Sequence, residues 1–166
     1  YNIFATKTDG TLWAWGMNNH GQLGQNSVTP SVLSPIQVGS DTTWSNAHGG
    51  YLCHWATKTN GTLWAMGANT HGQLGVNLPG AAAGARSSPV QIPGTTWSKG
   101  SVGAYNLWGI KTDGTLWCWG EGGYAQLGQN QPGNIRYSSP VQVSGSWSSI
   151  VAGIYHIYAT KKVLTD

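Results

Sequence analysis

Charge is what this sequence has least of. Asp, Glu, Lys and Arg make up 8% of 166 residues, against roughly 25% in an average soluble domain. The eight basic residues outnumber the five acids by three, but they are scattered: Lys7, Lys58, Arg86, Lys99, Lys111, Arg136 and the pair Lys161-Lys162. They offer no continuous basic stripe, so a nucleic-acid partner is not expected. The acids Asp9, Asp41, Asp113, Glu121 and Asp166 form no spaced carboxylate pair. Cysteine is limited to Cys53 and Cys118. This excludes a Cys-rich zinc site and a disulfide-dense scaffold; two buried free thiols are read in preference to a single bridge. No apolar run is long enough for a membrane-spanning helix, and no stretch sustains a 3.6-residue apolar period. Nucleophile elbow, phosphate loop and metal-ligand spacings are all missing, so neither an enzyme nor a cofactor or metal is expected. The sequence opens on Tyr1 with no secretory leader pattern, and is read as a processed chain or a piece of a longer one.

Glycine (25 residues) and tryptophan (10 residues) are abundant, and both recur in phase. Residues 7–26 read KTDGTLWAWGMNNHGQLGQN, residues 58–77 read KTNGTLWAMGANTHGQLGVN, and residues 111–130 read KTDGTLWCWGEGGYAQLGQN. Gly10 and Gly61 are 51 positions apart, Gly61 and Gly114 are 53. A second block follows each copy: SPIQVG from 34, SPVQIPG from 88 and SPVQVSG from 139. Next come the pairs Trp44-Ser45, Trp97-Ser98 and Trp147-Ser148, and then a glycine-aromatic segment. The opening YNIFATKT matches YHIYATKK at 155–162. The chain is therefore one partial domain, 1–166, with periods at about 1–51, 52–104 and 105–154 and the first strand of a fourth at 155–162.

Each period reads as four short strands. Asp9-Gly10, Asn60-Gly61 and Asp113-Gly114 lie between apolar stretches, the strongest short hairpin signal. The prolines of the SPxQV blocks suit a strand start. Gly21 and Gly72 become Ala125 in the third copy, so that turn is not expected to need a positive φ. The Gly- and Ala-rich stretch 78–87 is read as an irregular surface loop. The fold expected is all-β: propeller blades of four antiparallel strands, about three of them.

The pattern DGTLWAWGxNxxGQLG, then SPxQV, then Trp-Ser and a glycine-aromatic strand, resembles the regulator of chromosome condensation repeat family over essentially the whole chain. The resemblance implies a propeller of about seven blades. Its best-studied eukaryotic members act as exchange factors for a small GTPase and bind chromatin; many bacterial and bacteriophage proteins carry the repeats without that activity, and the low charge and LWAWG flavour are closer to these. The charged hairpin wedge of the exchange factors has no counterpart here. The position often held by His in the family is Cys53, Asn106 and His156 in the three copies.

Most tryptophans occupy matched positions (Trp13, Trp64 and Trp117; Trp44, Trp97 and Trp147; Trp55 and Trp108), which argues for packing between blades. Trp15 and Trp119 are replaced by Met66 in the middle copy and are candidates for a binding surface instead. His20 and His71 share a turn position that Tyr124 takes in the third copy, and Glu121 alone among the acids breaks the repeat. These six side chains are the candidate binding residues. The function expected is a non-catalytic scaffold for protein–protein contact, on a phage virion or a secreted bacterial protein. A glycan-binding propeller and a GTPase exchange factor are the alternatives. Three blades do not close a ring, so further blades of the same polypeptide, or a second copy, are expected to cover the end faces.

Overall fold

Hairpins close where Asp or Asn precedes glycine. In the computed structural model, which describes residues 2–77, 84–131 and 133–161, β1 (Asn2–Thr6) pairs with β2 (Leu12–Met17) around Asp9-Gly10. The repeat makes the same hairpin from β5 (Cys53–Lys58) and β6 (Leu63–Gly67), and from β9 (Asn106–Lys111) and β10 (Leu116–Glu121). The three turn glycines have φ of 77–83°, the left-handed region in which a Cβ is unfavourable. Side chains lock each turn. Asp9 Oδ1 accepts from the Thr11 amide and hydroxyl (3.0 and 2.7 Å), and that hydroxyl accepts from Trp13 Nε1 at 2.8 Å. Asn60–Thr62–Trp64 and Asp113–Thr115–Trp117 repeat the relay. The Thr11 bonds hold the Asp9 carboxyl below its ordinary range.

The Trp-Ser segments supply β4 (Trp44–Gly49), β8 (Trp97–Val102) and β12 (Trp147–Ala152), and the SPxQV blocks lie in β3 (Ser31–Gln37), β7 (Arg86–Ile92) and β11 (Arg136–Val143). The last strand is β13 (Ile157–Lys161). The described residues form two four-stranded antiparallel sheets, β4-β5-β6-β7 and β8-β9-β10-β11, flanked by a three-stranded sheet β1-β2-β3 and a two-stranded sheet β12-β13. The sheets that start at β4, β8 and β12 thus begin at a Trp-Ser pair and run across the boundary between two sequence periods. These are propeller blades, and among the described residues no helix occurs. The strands β4, β8 and β12 lie side by side from blade to blade.

Two local expectations are corrected. The prolines do not start strands: β3, β7 and β11 begin several residues before Pro35, Pro89 and Pro140. Each proline lies where the ladder register shifts, opposite Trp15, Met66 and Trp119. A proline, having no N–H to donate, is accommodated in a bulge on the outermost strand. The turn at Gly21 and Gly72 does need a positive φ (69° and 74°), and Ala125 adopts it as well, at 59°. Space explains the difference. A Cβ on Gly72 would lie 2.9 Å from Cα of Ser138 on the next blade, whereas Ala125 is exposed. Of the 78–87 loop, residues 78–83 lie outside the described residues.

The core sits between the blades. Leu23, Leu74 and Leu127 of the QLG turns are buried. Trp44, Trp55, Trp97 and Trp108 are buried, and Trp13, Trp64, Trp117 and Trp147 are half-buried. Lysines cover the half-buried indoles: Lys7 over Trp13 at 3.7 Å, Lys58 over Trp64 at 4.1 Å, Lys111 over Trp117 at 4.4 Å and Lys161 over Trp147 at 5.8 Å from the ring centroids. Four of the few cations are thus repeated packing elements. Cys53 and Cys118 are both buried and free.

Candidate functional site

Alternate connections of an antiparallel sheet emerge at the same end. The β8–β9 and β10–β11 connections, with the β12–β13 connection of the next blade, therefore share one face, opposite the Asp-Gly turns. There they enclose an open cleft of about 450 Å³, lined by Ala104, Tyr105, Asn106, Glu121, Tyr124, Gln126, Ile154 and Tyr155. The backbones that form it are tied across the blade boundary, with the Ala104 amide donating to the Ile154 carbonyl at 3.0 Å.

Aromatic rings pair across neighbouring blades in phase with the repeat. His71 of one blade meets Tyr105 of the next, with ring centroids 4.6 Å apart. One repeat later Tyr124 meets Tyr155 edge to face, at 6.4 Å. Tyr124 and Tyr155 remain 80% and 58% exposed, so their faces are open to a ligand. Tyr124 stands where it does because Gln126 Oε1 accepts from its backbone amide at 2.7 Å, the bond that Gln22 makes to His20 and Gln73 to His71.

The polar end of the cleft is built from Glu121 and Asn106. Asn106 Nδ2 donates to the backbone carbonyl of Glu121 at 3.0 Å, and both residues line the cleft. The Glu121 carboxylate has His71 Nε2 at 3.5 Å from one oxygen and Arg136 Nη2 at 3.5 Å from the other. Both distances exceed the 2.7–2.9 Å of a tight charge-assisted bond. His71 is held from its other ring nitrogen, Nδ1, by the Thr70 hydroxyl at 2.9 Å. Asn106 is 2% exposed, and its Oδ1 has no hydrogen-bond partner among the described residues.

Of the six candidate binding residues, the fold brings His71, Glu121 and Tyr124 together. His20 occupies the equivalent turn on the first blade and is exposed. Trp15 lies half-buried on β2. Trp119 presents no surface to a ligand: it is fully buried, and its Nε1 donates to the Gln73 carbonyl of the preceding blade at 3.0 Å. Its replacement by Met66 reflects a packing slot that accepts two different fillers. Tyr105, Asn106 and Tyr155 belong to the cleft but were not among the candidates. The tyrosines share one repeat position, which Tyr1 also holds and Leu52 takes in the second copy, and resemble framework for that reason.

The chain matches the family described as Regulator of chromosome condensation (RCC1) repeat over residues 9–51 and 113–160. It is 28% identical to the Regulator of chromosome condensation of Xenopus laevis over 87% of this chain and 34% of that protein. Human Protein RCC2 is 35% identical over 77% of this chain and 24% of its own length. The human probable E3 ubiquitin-protein ligase HERC6 is 29% identical over 96% of this chain and 16% of its own length. Among solved structures, yeast RCC1 (Prp20) bound to Kap60 superposes with a TM-score of 0.84 at 19% identity, over 98% of this chain and 41% of that one. Prp20p from Saccharomyces cerevisiae, described with its binding properties to Gsp1p and histones, gives 0.83 at 18% identity, over 98% and 42%. The chain thus spans about a third or less of these curated relatives' lengths.

Proposed function

The chain belongs to the regulator of chromosome condensation repeat family, and we propose on that footing that it is a non-catalytic propeller scaffold that docks a protein partner in the cleft formed by Tyr105, Tyr124 and Tyr155. The observation that carries this reading is the convergence, on one face, of open tyrosine rings with the residues that break the repeat, Glu121 and Tyr124. Tyrosine gives a large, amphipathic contact area and is enriched at binding hot spots. Relatives support a protein as the ligand, since yeast Prp20 has been described with Kap60, with Gsp1p and with histones. The sparse charge suits a structural component of a virion or a secreted bacterial protein.

Peptides selected from a random display library against the whole chain test this reading. Selected binders should lose affinity for the Tyr124→Ala/Tyr155→Ala double variant. Binders indifferent to that variant would contradict it, and a cleft-dependent signal on a glycan array would favour the lectin alternative. The family membership itself favours a second reading, exchange on a small GTPase. A nucleotide-release assay addresses that reading, and no acceleration is expected.

A further inference from the structure

We infer that the cleft selects an arginine side chain of its partner, the guanidinium bridging Glu121 and Asn106 while its plane lies against the tyrosine rings. The inference rests on the docking reading above and adds the chemistry of what enters.

Three features define the chemistry. First, the cleft contains one carboxylate, and it is under-committed: Glu121 has a side-chain nitrogen, His71 Nε2 or Arg136 Nη2, at 3.5 Å from each oxygen, neither at tight bonding distance. A charged donor that reaches closer gains a stronger bond. Second, Asn106 Oδ1 is a buried acceptor without a partner, a costly arrangement unless a donor completes it. It needs an N–H or O–H group, and Asn106 lines the same cleft as Glu121, to whose backbone carbonyl its own Nδ2 donates. Third, apart from Gln126, whose Oε1 is already bonded to the Tyr124 amide, the remaining walls are aromatic and apolar: Tyr105, Tyr124, Tyr155 and Ile154. A group that donates to two neighbouring acceptors and presents a flat cationic face to tyrosine is a guanidinium. An ammonium is a compact, strongly hydrated point charge and matches the aromatic walls less well. A sugar would use the rings and the amide but gain nothing from the carboxylate's charge. Arg136, 54% exposed in its side chain, is the resident competitor on the solvent side of Glu121.

The test uses the full chain and blocked tripeptides, Gly-Arg-Gly, Gly-Lys-Gly and the neutral isostere Gly-citrulline-Gly, followed by NMR at the backbone amides of Glu121, Tyr124 and Tyr155. The arginine peptide should saturate these shifts at millimolar concentration, and citrulline should bind at least tenfold more weakly, with lysine in between. Glu121→Gln, nearly isosteric and on the cleft rim, should weaken the arginine peptide at least fivefold. Arg136→Gln should tighten it severalfold by removing the competitor, an effect that a merely structural role would not produce. Equal binding of arginine and citrulline in the cleft would overturn the arginine selectivity and leave the docking reading standing. Cleft shifts produced by neutral methyl glycosides and by none of the peptides would overturn both, as would peptides that shift only amides on the opposite face.

Discussion

The indole nitrogen of Trp119 lies 3.0 Å from the carbonyl oxygen of Gln73, across the boundary between two blades. The ring sits on Gly75, where a Cβ would come within 2.7 Å of Nε1. One blade earlier Met66 fills the corresponding slot over Gly24, its sulfur 2.7 Å from where a Cβ would be. Blades are therefore joined by a large side chain on the third strand seated over a glycine of the preceding QLG turn. Trp119→Ala should destabilise by about 3–5 kcal/mol. Trp119→Met, the filler natural to the previous slot, should cost clearly less. Urea unfolding of the two variants compares them directly; equal losses would mean that the slot is not the joint.

The turn relays give a second expectation. Thr62→Val preserves shape but removes the hydroxyl that donates to Asn60 Oδ1 at 2.7 Å and accepts from Trp64 Nε1 at 2.9 Å. With net contributions of about 1 kcal/mol per bond, the loss should be about 1–2 kcal/mol. Thr11→Val and Thr115→Val should cost at least as much, because their hydroxyls donate at the same length to a carboxylate rather than to an amide oxygen. Thermal melts of the three variants would show whether the relay is one repeated unit.

These joints also show what the sequence makes legible. A turn pair such as Asn60-Gly61 declares itself through local backbone chemistry, and the QLG leucines through their recurrence. Trp119 does not, because packing asks only for volume over Gly75, and a position that alternates between Trp and Met resembles a variable surface. Ala125 misleads similarly: its positive φ is imposed by the turn, and the clash that enforces glycine at Gly72 comes from Ser138, about 66 positions away. Pro35, Pro89 and Pro140 fall inside strands because the bulges opposite Trp15, Met66 and Trp119 are tertiary features. At the site, Glu121 and Tyr124 stand out by breaking the repeat. Asn106 contributes through burial and an unmet acceptor, neither of which a sequence records.

Stability should fall on mild acidification because of His54. The ring is buried, and burial lowers its pKa from 6.5 to about 3. The folded state holds it neutral, while the unfolded chain takes up a proton below pH about 6.5. Its contribution is therefore complete above that pH and is lost progressively as pH falls towards 3, at no more than about 1.4 kcal/mol per pH unit. His48, also lowered by burial, acts in the same direction. His54→Gln should flatten the decline between pH 6.5 and 4 in denaturant titrations; an unchanged slope would remove His54 as its cause.

The two thiols should be silent in the native protein. Burial pushes Cys53 up to about 12 and Cys118 up to about 11, and the thiolate is the reactive form. A thiol-reactive disulfide reagent at pH 8 should label neither cysteine until denaturant is added and then both. Labelling of one thiol at the native rate of a free cysteine would contradict its burial.

The central claim, that a protein partner docks in the cleft beside Tyr124, is tested most directly by a co-crystal structure of the chain with a display-selected peptide. The account predicts the peptide against Tyr105, Tyr124 and Tyr155, with its polar contacts to Glu121 and Asn106. A peptide bound across the Asp-Gly turns of the opposite face, with the cleft empty, would contradict it.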